Sequence, residues 1–154
     1  MTEAKRALER VYLEQGAKLW RALVAHTGDP ELASDSVAES FAQALARGDA
    51  IREPASWVWT AAFRIATGRL KERGRALPTA ALERTTQMPE PIADLIRALA
   101  RISPKQRMAI VLHDYADRPT DEVARTIGAS RATVHVHLSK GRRRLREILG
   151  DVDE

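Results

Sequence analysis

The segment TDEVARTIGASRATVHVHLSKGRRRLREIL, residues 120–149, constrains the fold more than any other part of the chain. Its apolar residues fall into two helical stripes on either side of a single glycine. Val123, Ala124 and Ile127 form the first stripe, and Val134, Leu138, Leu145 and Ile148 or Leu149 form the second. Gly128 admits the left-handed backbone that a tight turn between helices needs, and Ser130 is suited to cap the second helix. Close crossing of the two helices calls for a small residue, which Ala124 supplies. The pattern reads as a helix-turn-helix, a motif whose second helix enters the major groove of DNA by its N-terminal half. In that half Arg131, His135, Val136, Ser139 and Lys140 point away from the apolar stripe. Arg142, Arg143, Arg144 and Arg146 follow where phosphates lie. The plainer alternative is an arginine-rich, solvated helix closing an ordinary bundle. Turn, caps, small residue and basic face together favour the DNA-binding reading. His135 and His137 form an H-x-H pair, but on a helix they diverge by about 200°. With no third ligand nearby, no metal site is expected.

The remaining periodic segments also repeat at helical spacing, and no alternating run is bounded like a strand. From Leu8 to His26 the apolar positions Leu8, Val11, Tyr12, Leu19, Leu23 and Val24 share a stripe, which Thr27-Gly28 breaks. Asp29-Pro30 offers an N-cap and a first-turn proline, with Glu31 well placed at the positive end of the helix. The helix that follows turns Leu32, Ser36/Val37, Ser40/Phe41 and Ala44/Leu45 inward and ends at Arg47-Gly48. The loop GDAIREPAS leads to a third helix from Ser56 to Arg73, and residues 74–91, with three prolines, read as a linker. A short helix with Ile92, Leu95, Ile96 and Leu99 inward comes next. Ser103-Pro104-Lys105-Gln106 has the signature of a capping box. Its helix carries Met108, Ile110, Val111, Leu112 and Tyr115, and Thr120 is expected to cap the one after. The expected architecture is all-α, with small helical domains at 1–73 and 92–154 joined by 74–91.

Charge separates the two halves. Residues 27–53 carry six acids against two arginines, whereas residues 131–146 carry six bases, two histidines and no acid. The basic block suits a polyanion, and the acidic stretch needs a different partner. Cysteine is absent, which removes disulfides, thiol nucleophiles and thiolate metal sites. No apolar run approaches the ~20 residues of a membrane span, and MTEAKRALER lacks a signal-peptide core. A cytoplasmic protein without membrane insertion is expected.

Two clusters lie in the N-terminal half. Asp35 and Glu39 are an i, i+4 pair with Gln43 one turn on. Such a pair is a solvated face by default, and a docking surface where a partner exists. Trp57, Trp59 and Phe63 are followed by Arg64, Arg69, Lys71, Arg73 and Arg75. Aromatic and basic side chains side by side suit single-stranded nucleic acid, where bases stack and phosphates are neutralised. The spacing of Trp57 with Ala61 and Ile65 is that of a core residue, leaving Trp59 and Phe63 as the more exposed face.

TGDPELASDSVAESFAQAL followed by ASWVWTAAFRIA resembles the core-binding and −10-element region of bacterial extracytoplasmic-function sigma factors. LARISPKQRMAIVLHDYADRPTDEVARTIGASRATVHVHLSKGRRRLREIL resembles their −35-binding region. The absence of a further domain between the halves fits the two-domain class. The resemblance implies an alternative sigma factor, with region 2 at 1–73 and region 4 at 92–154. Asp35, Glu39 and Gln43 then bind core RNA polymerase. Trp59, Phe63, Arg64, Arg69 and Lys71 capture the −10 element. Arg131, Thr133, His135, Val136, Ser139, Lys140, Arg142 and Arg143 read or grip the −35 element. Apolar residues near Met108–Tyr115 meet the polymerase flap, and an anti-sigma factor is an expected partner. Ala38, Phe63-Arg64, Gly68 and His135-Val136 depart from residues common in the family, so the promoter sequence is left open.

Two other function classes fit parts of the same pattern. A stand-alone, dimeric helix-turn-helix repressor or activator needs no polymerase and binds a palindromic site. An enzyme would use Asp35 and Glu39 as catalytic acids, but no nucleophile–base set, glycine-rich phosphate loop or metal spacing accompanies them. No catalytic residue, metal or cofactor is therefore assigned.

Overall fold

The computed structural model describes residues 2–74 and 89–153, with the side chains of the final turn left aside. The stretch expected to be a linker falls mostly outside the described residues. Among them are seven α-helices and no strand, as the helical periodicity requires.

Helix α1 spans Glu3–Thr27 and α2 spans Pro30–Arg47. Between them Gly28 adopts φ 70°, and Asp29 caps α2 by accepting from the backbone N–H groups of Glu31 (3.0 Å) and Leu32 (3.3 Å). The Asp29 carboxylate is almost wholly buried and also takes a 2.7 Å bond from Arg73 Nη1, so the cap ties the far end of α3 to the α1–α2 corner. A 3-10 turn at Gly48–Ala50 leads into α3, Pro54–Glu72. Leu19, Leu23, Leu32, Val58, Trp59 and Phe63 fill the space among the three helices.

Helix α4 spans Glu90–Ala100 and α5 spans Pro104–Ala109. The capping box is present, with Gln106 N–H donating to Ser103 Oγ (3.2 Å) and Ser103 N–H to Gln106 Oε1 (3.4 Å). α5 continues into a π-helical turn at Ile110–Tyr115, an irregularity that periodicity cannot reveal. Helices α6, Thr120–Ile127, and α7, Arg131–Asp153, form the helix-turn-helix. Gly128 takes φ 80°, and Thr133 N–H donates to Ser130 Oγ (3.1 Å), as the sequence indicates. Val123, Ala124 and Ile127 of α6 are buried with Val134, Leu138 and Ile148 of α7.

Three local expectations are corrected. Thr120 is the first residue of α6 and makes no side-chain cap; the turn is closed instead by Val123 N–H donating to the Pro119 carbonyl (3.0 Å). α4 buries Ala93, Ile96, Ala98 and Leu99, while Ile92 and Leu95 stay about half exposed. Leu45 of α2 is likewise exposed, because Ala44 occupies the inward position.

Most buried apolar residues of the two halves join in one continuous core. α1 touches α4, α5 and the π turn, and α3 lies against α6. At this junction the Gln15 side-chain oxygen accepts from Trp59 Nε1 (2.9 Å) and Arg118 Nη1 (3.4 Å). Arg118 lies over the Trp59 ring and forms a side-on pair with buried Glu122 at 2.6 and 2.7 Å. Removing either member of such a buried pair strands the other charge, at a cost of roughly 3–5 kcal/mol.

Candidate nucleic-acid interface and polymerase-docking helix

α7 turns one edge to the core and the rest to solvent. Arg131, Thr133, His135, Val136, Ser139, Lys140, Arg142 and Arg143 are all exposed. Val136 is an exposed apolar side chain amid polar neighbours, suited to contact a thymine methyl group. The basic run is not wholly unpaired. Arg131 Nε lies 3.3 Å from Asp121 Oδ1, Arg144 Nη1 lies 3.4 Å from Glu147 Oε2, and Arg142 is held by Asp114. The last pair is the tightest: Arg142 Nε and Nη2 donate to the two Asp114 oxygens at 2.8 and 2.6 Å. These bonds hold the Asp114 carboxyl below its usual range and raise the Arg142 guanidinium further. His137 is turned partly into the protein, and burial with nearby Lys105 and Lys140 lowers its pKa. Among the described residues no group of three or more His, Cys, Asp or Glu could hold a metal ion.

The acidic candidates sit together on α2. Asp35 is exposed, Glu39 and Gln43 are half-buried, and Gln43 Nε2 donates to Glu39 Oε1 (3.0 Å). That bond orders Glu39 and Gln43 in one orientation while leaving the Asp35 carboxylate open to solvent.

α3 differs from its expected form. Trp59 and Phe63 are 1% and 0% exposed, stacked on each other with centroids 6.2 Å apart. The expectation of an exposed aromatic face is corrected: Trp59 is held by Gln15 of α1 and covered by Arg118, and Phe63 packs against His26 of α1. Trp57, read from its spacing as core, is only half-buried and carries Arg47 over its ring at 5.3 Å. Nothing in the spacing distinguishes the two tryptophans, because both stripes are helical. Among the basic candidates, Lys71 is exposed and Arg69 half-buried, while Arg64 donates to the Arg125 carbonyl of α6. Thr60 and Thr126 share a further 2.9 Å bond across the same contact.

Beneath α3 lies a histidine that sequence reading left unassigned. His26 is buried, its Nδ1 accepting from Arg107 Nε (3.4 Å) and its Nε2 bonded to Thr67 Oγ1 (3.0 Å). Desolvation, reinforced by Arg107, pushes its pKa down to about 3, so the ring is neutral at physiological pH. The proton then sits on Nε2, since Nδ1 accepts.

With this geometry in place, comparison with known proteins shows what the chain is similar to. Residues 92–145 match the family model described as sigma-70, region 4, which covers the helix-turn-helix and its preceding helices. The chain is 34% identical over 102 residues to the ECF RNA polymerase sigma factor SigM of Mycobacterium tuberculosis, covering 62% of this chain and 51% of that protein. It is 37% identical over 73 residues to the RNA polymerase sigma-E factor of Streptomyces antibioticus, covering 47% of this chain and 41% of that one. It thus spans about half the length of these curated relatives. Among solved structures, the sigma factor RpoE in complex with the anti-sigma factor NepR from Bartonella quintana shares the fold with a TM-score of 0.75 at 20% identity, over 92% of this chain and 96% of that one. The M. tuberculosis extracytoplasmic-function sigma factor SigJ gives 0.65 at 27% identity, over 89% and 52% respectively. CnrH, solved with the cytosolic domain of CnrY, gives 0.73 at 23% identity, over 97% and 91%. In sequence and in fold, the chain resembles the extracytoplasmic-function sigma factors.

Proposed function

We propose that the chain is an alternative sigma factor that binds core RNA polymerase and directs it to specific promoters in the cytoplasm, without covalent chemistry of its own. The observation that carries this reading is the region 4 match over a helix-turn-helix whose reading face is open to solvent. Arg131, Thr133, His135, Val136, Ser139 and Lys140 read the −35 major groove, and Arg142 and Arg143 grip the flanking phosphates. Good base contacts contribute ~1–3 kcal/mol each. Asp35, Glu39 and Gln43 on α2 dock core polymerase. Arg64, Arg69 and Lys71 meet the −10 strand, with the buried Trp59 and Phe63 supporting them from beneath. Phosphate contacts alone give weak, salt-sensitive binding. Core polymerase raises the effective concentration of each half at its own element.

Two of the fold relatives were solved with partner proteins, one with an anti-sigma factor and the other with the cytosolic domain of CnrY. This likeness supports an anti-sigma partner for the present chain as well. No helix among the described residues is long and apolar enough to cross a membrane.

Run-off transcription with purified core polymerase and a genomic fragment library tests the proposal. Transcripts are expected only when chain and core are both present, from asymmetric start sites. Tight binding of the chain alone to a palindromic duplex, with no effect on core, would instead identify the stand-alone regulator.

A further inference from the structure

The Asp114–Arg142 pair joins the π turn to the recognition helix, and its geometry leaves part of the guanidinium uncommitted. Asp114 engages Nε and Nη2, the side edge of the group, at 2.8 and 2.6 Å. Arginine carries five N–H donors; this pairing uses one on each of those nitrogens and leaves both Nη1 hydrogens and the second Nη2 hydrogen. The side chain is 44% exposed, so the pairing with Asp114 leaves it within reach of solvent. Asp114 is itself steadied by His113, whose Nδ1 lies 2.8 Å from Oδ1.

Arg142 occupies a meaningful place on α7. It lies seven residues beyond His135, which is about 20° around the helix axis and about 10 Å along it. Arg131, His135, Ser139, Arg142 and Arg146 therefore form one stripe, and Arg142 sits two turns below the centre of the reading half. α7 reaches the π turn because residue 141 is glycine: a Cβ there would stand 2.7 Å from Ile110 Cδ1 and 3.2 Å from Gln106 Cβ. The close approach and the pair thus belong to one built contact.

We infer that Asp114 is a positioning residue for DNA recognition, clamping Arg142 side-on so that its outer guanidinium edge meets one backbone phosphate. This rests on the promoter-binding reading of α7. A freely rotating arginine loses rotamer entropy on binding, and a clamped one has already lost it. The opposite role is a carboxylate that competes with phosphate for Arg142, and the two differ in sign.

The test uses the full chain and a duplex of about 30 base pairs selected by that chain from a random pool. Affinity is followed by fluorescence anisotropy across 50–200 mM NaCl, about the range over which phosphate contacts dominate salt response. Arg142→Ala is expected to weaken binding and reduce the salt slope by about 0.9, the loss of one phosphate. Asp114→Ala is expected to weaken binding by roughly threefold or more, with most of the same slope change. The double variant should be no weaker than Arg142→Ala alone. Asp114→Asn keeps one acceptor without the charge and should fall between wild type and Asp114→Ala. Circular dichroism establishes that each variant folds. If both Asp114 variants bind as tightly as wild type or tighter while Arg142→Ala weakens binding, the positioning role is overturned and the promoter reading survives. If Arg142→Ala, Arg131→Ala and Lys140→Ala all leave binding unchanged, the promoter reading of α7 fails and the inference falls with it.

Discussion

Helices α3 and α7 both interleave basic residues with apolar ones, yet the fold uses them in opposite ways. α7 rests on one packed edge, built from Val134, Leu138 and Ile148, and leaves its polar flank to solvent. α3 is gripped from several directions, so Val58, Trp59, Ala62, Phe63 and Ala66 are all buried and Arg64 is engaged by α6. A cluster of recognition-type residues in a sequence is therefore a face only where one side of its helix is unclaimed. How much of the helix's circumference its neighbours cover decides, and composition does not.

Substitution at the aromatic pair gives the largest separation between the two helices. Trp59→Ala or Phe63→Ala should destabilise the fold by about 3–5 kcal/mol, the cost of emptying a large buried site. Chemical denaturation reads this directly, and Val136→Ala on α7 should lie within about 0.5 kcal/mol of wild type. Equal small effects at all three positions would break the contrast.

Acid should act through the layer beneath α3. Between pH 6.5 and about 3 the unfolded chain protonates His26 while the folded chain does not. The unfolded state then binds more protons, so stability falls as pH drops through that window, by up to several kcal/mol. His26→Gln should flatten this part of the stability–pH profile relative to wild type. Superimposable profiles would show that the ring is not buried in its neutral form.

Smaller effects sharpen the other side of the comparison. Arg131→Ala and Lys140→Ala should each cost about 1–3 kcal/mol of promoter affinity, without a comparable loss of fold stability. Gly141→Ala should cost about 1 kcal/mol: crowding against Ile110 and Gln106 opposes the gain in helix propensity.

The helix-turn-helix was almost wholly legible in the sequence. Gly128, Ser130 and the Ser103–Gln106 box act over three or four residues, and local rules govern them fully. Ala124 and the apolar stripe of α7 announced their own packing. What escaped was set by distant partners. Trp57 and Trp59 exchange the expected roles because Gln15 and Arg118, both distant in sequence, engage the second. Asp114 meets Arg142 across 28 residues and through a π turn, so no motif joins them. Ile92 and Leu95 share a helical stripe with Ile96 and Leu99, but α4 is rotated towards its alanines, Ala93 and Ala98. Among the site candidates, the exposure of the set on α7 and of Asp35 on α2 was readable because no element buries them, even where Asp121 and Asp114 pair with Arg131 and Arg142.

The division of labour is tested most directly by one paired assay on an Arg131→Ala/Lys140→Ala variant: core polymerase binding and run-off transcription from a selected promoter, measured side by side. Unchanged affinity for core with at least a tenfold fall in transcript is the expected result. Full transcription, or loss of core binding in proportion to transcript, would contradict the assignment of promoter recognition to the open face of α7.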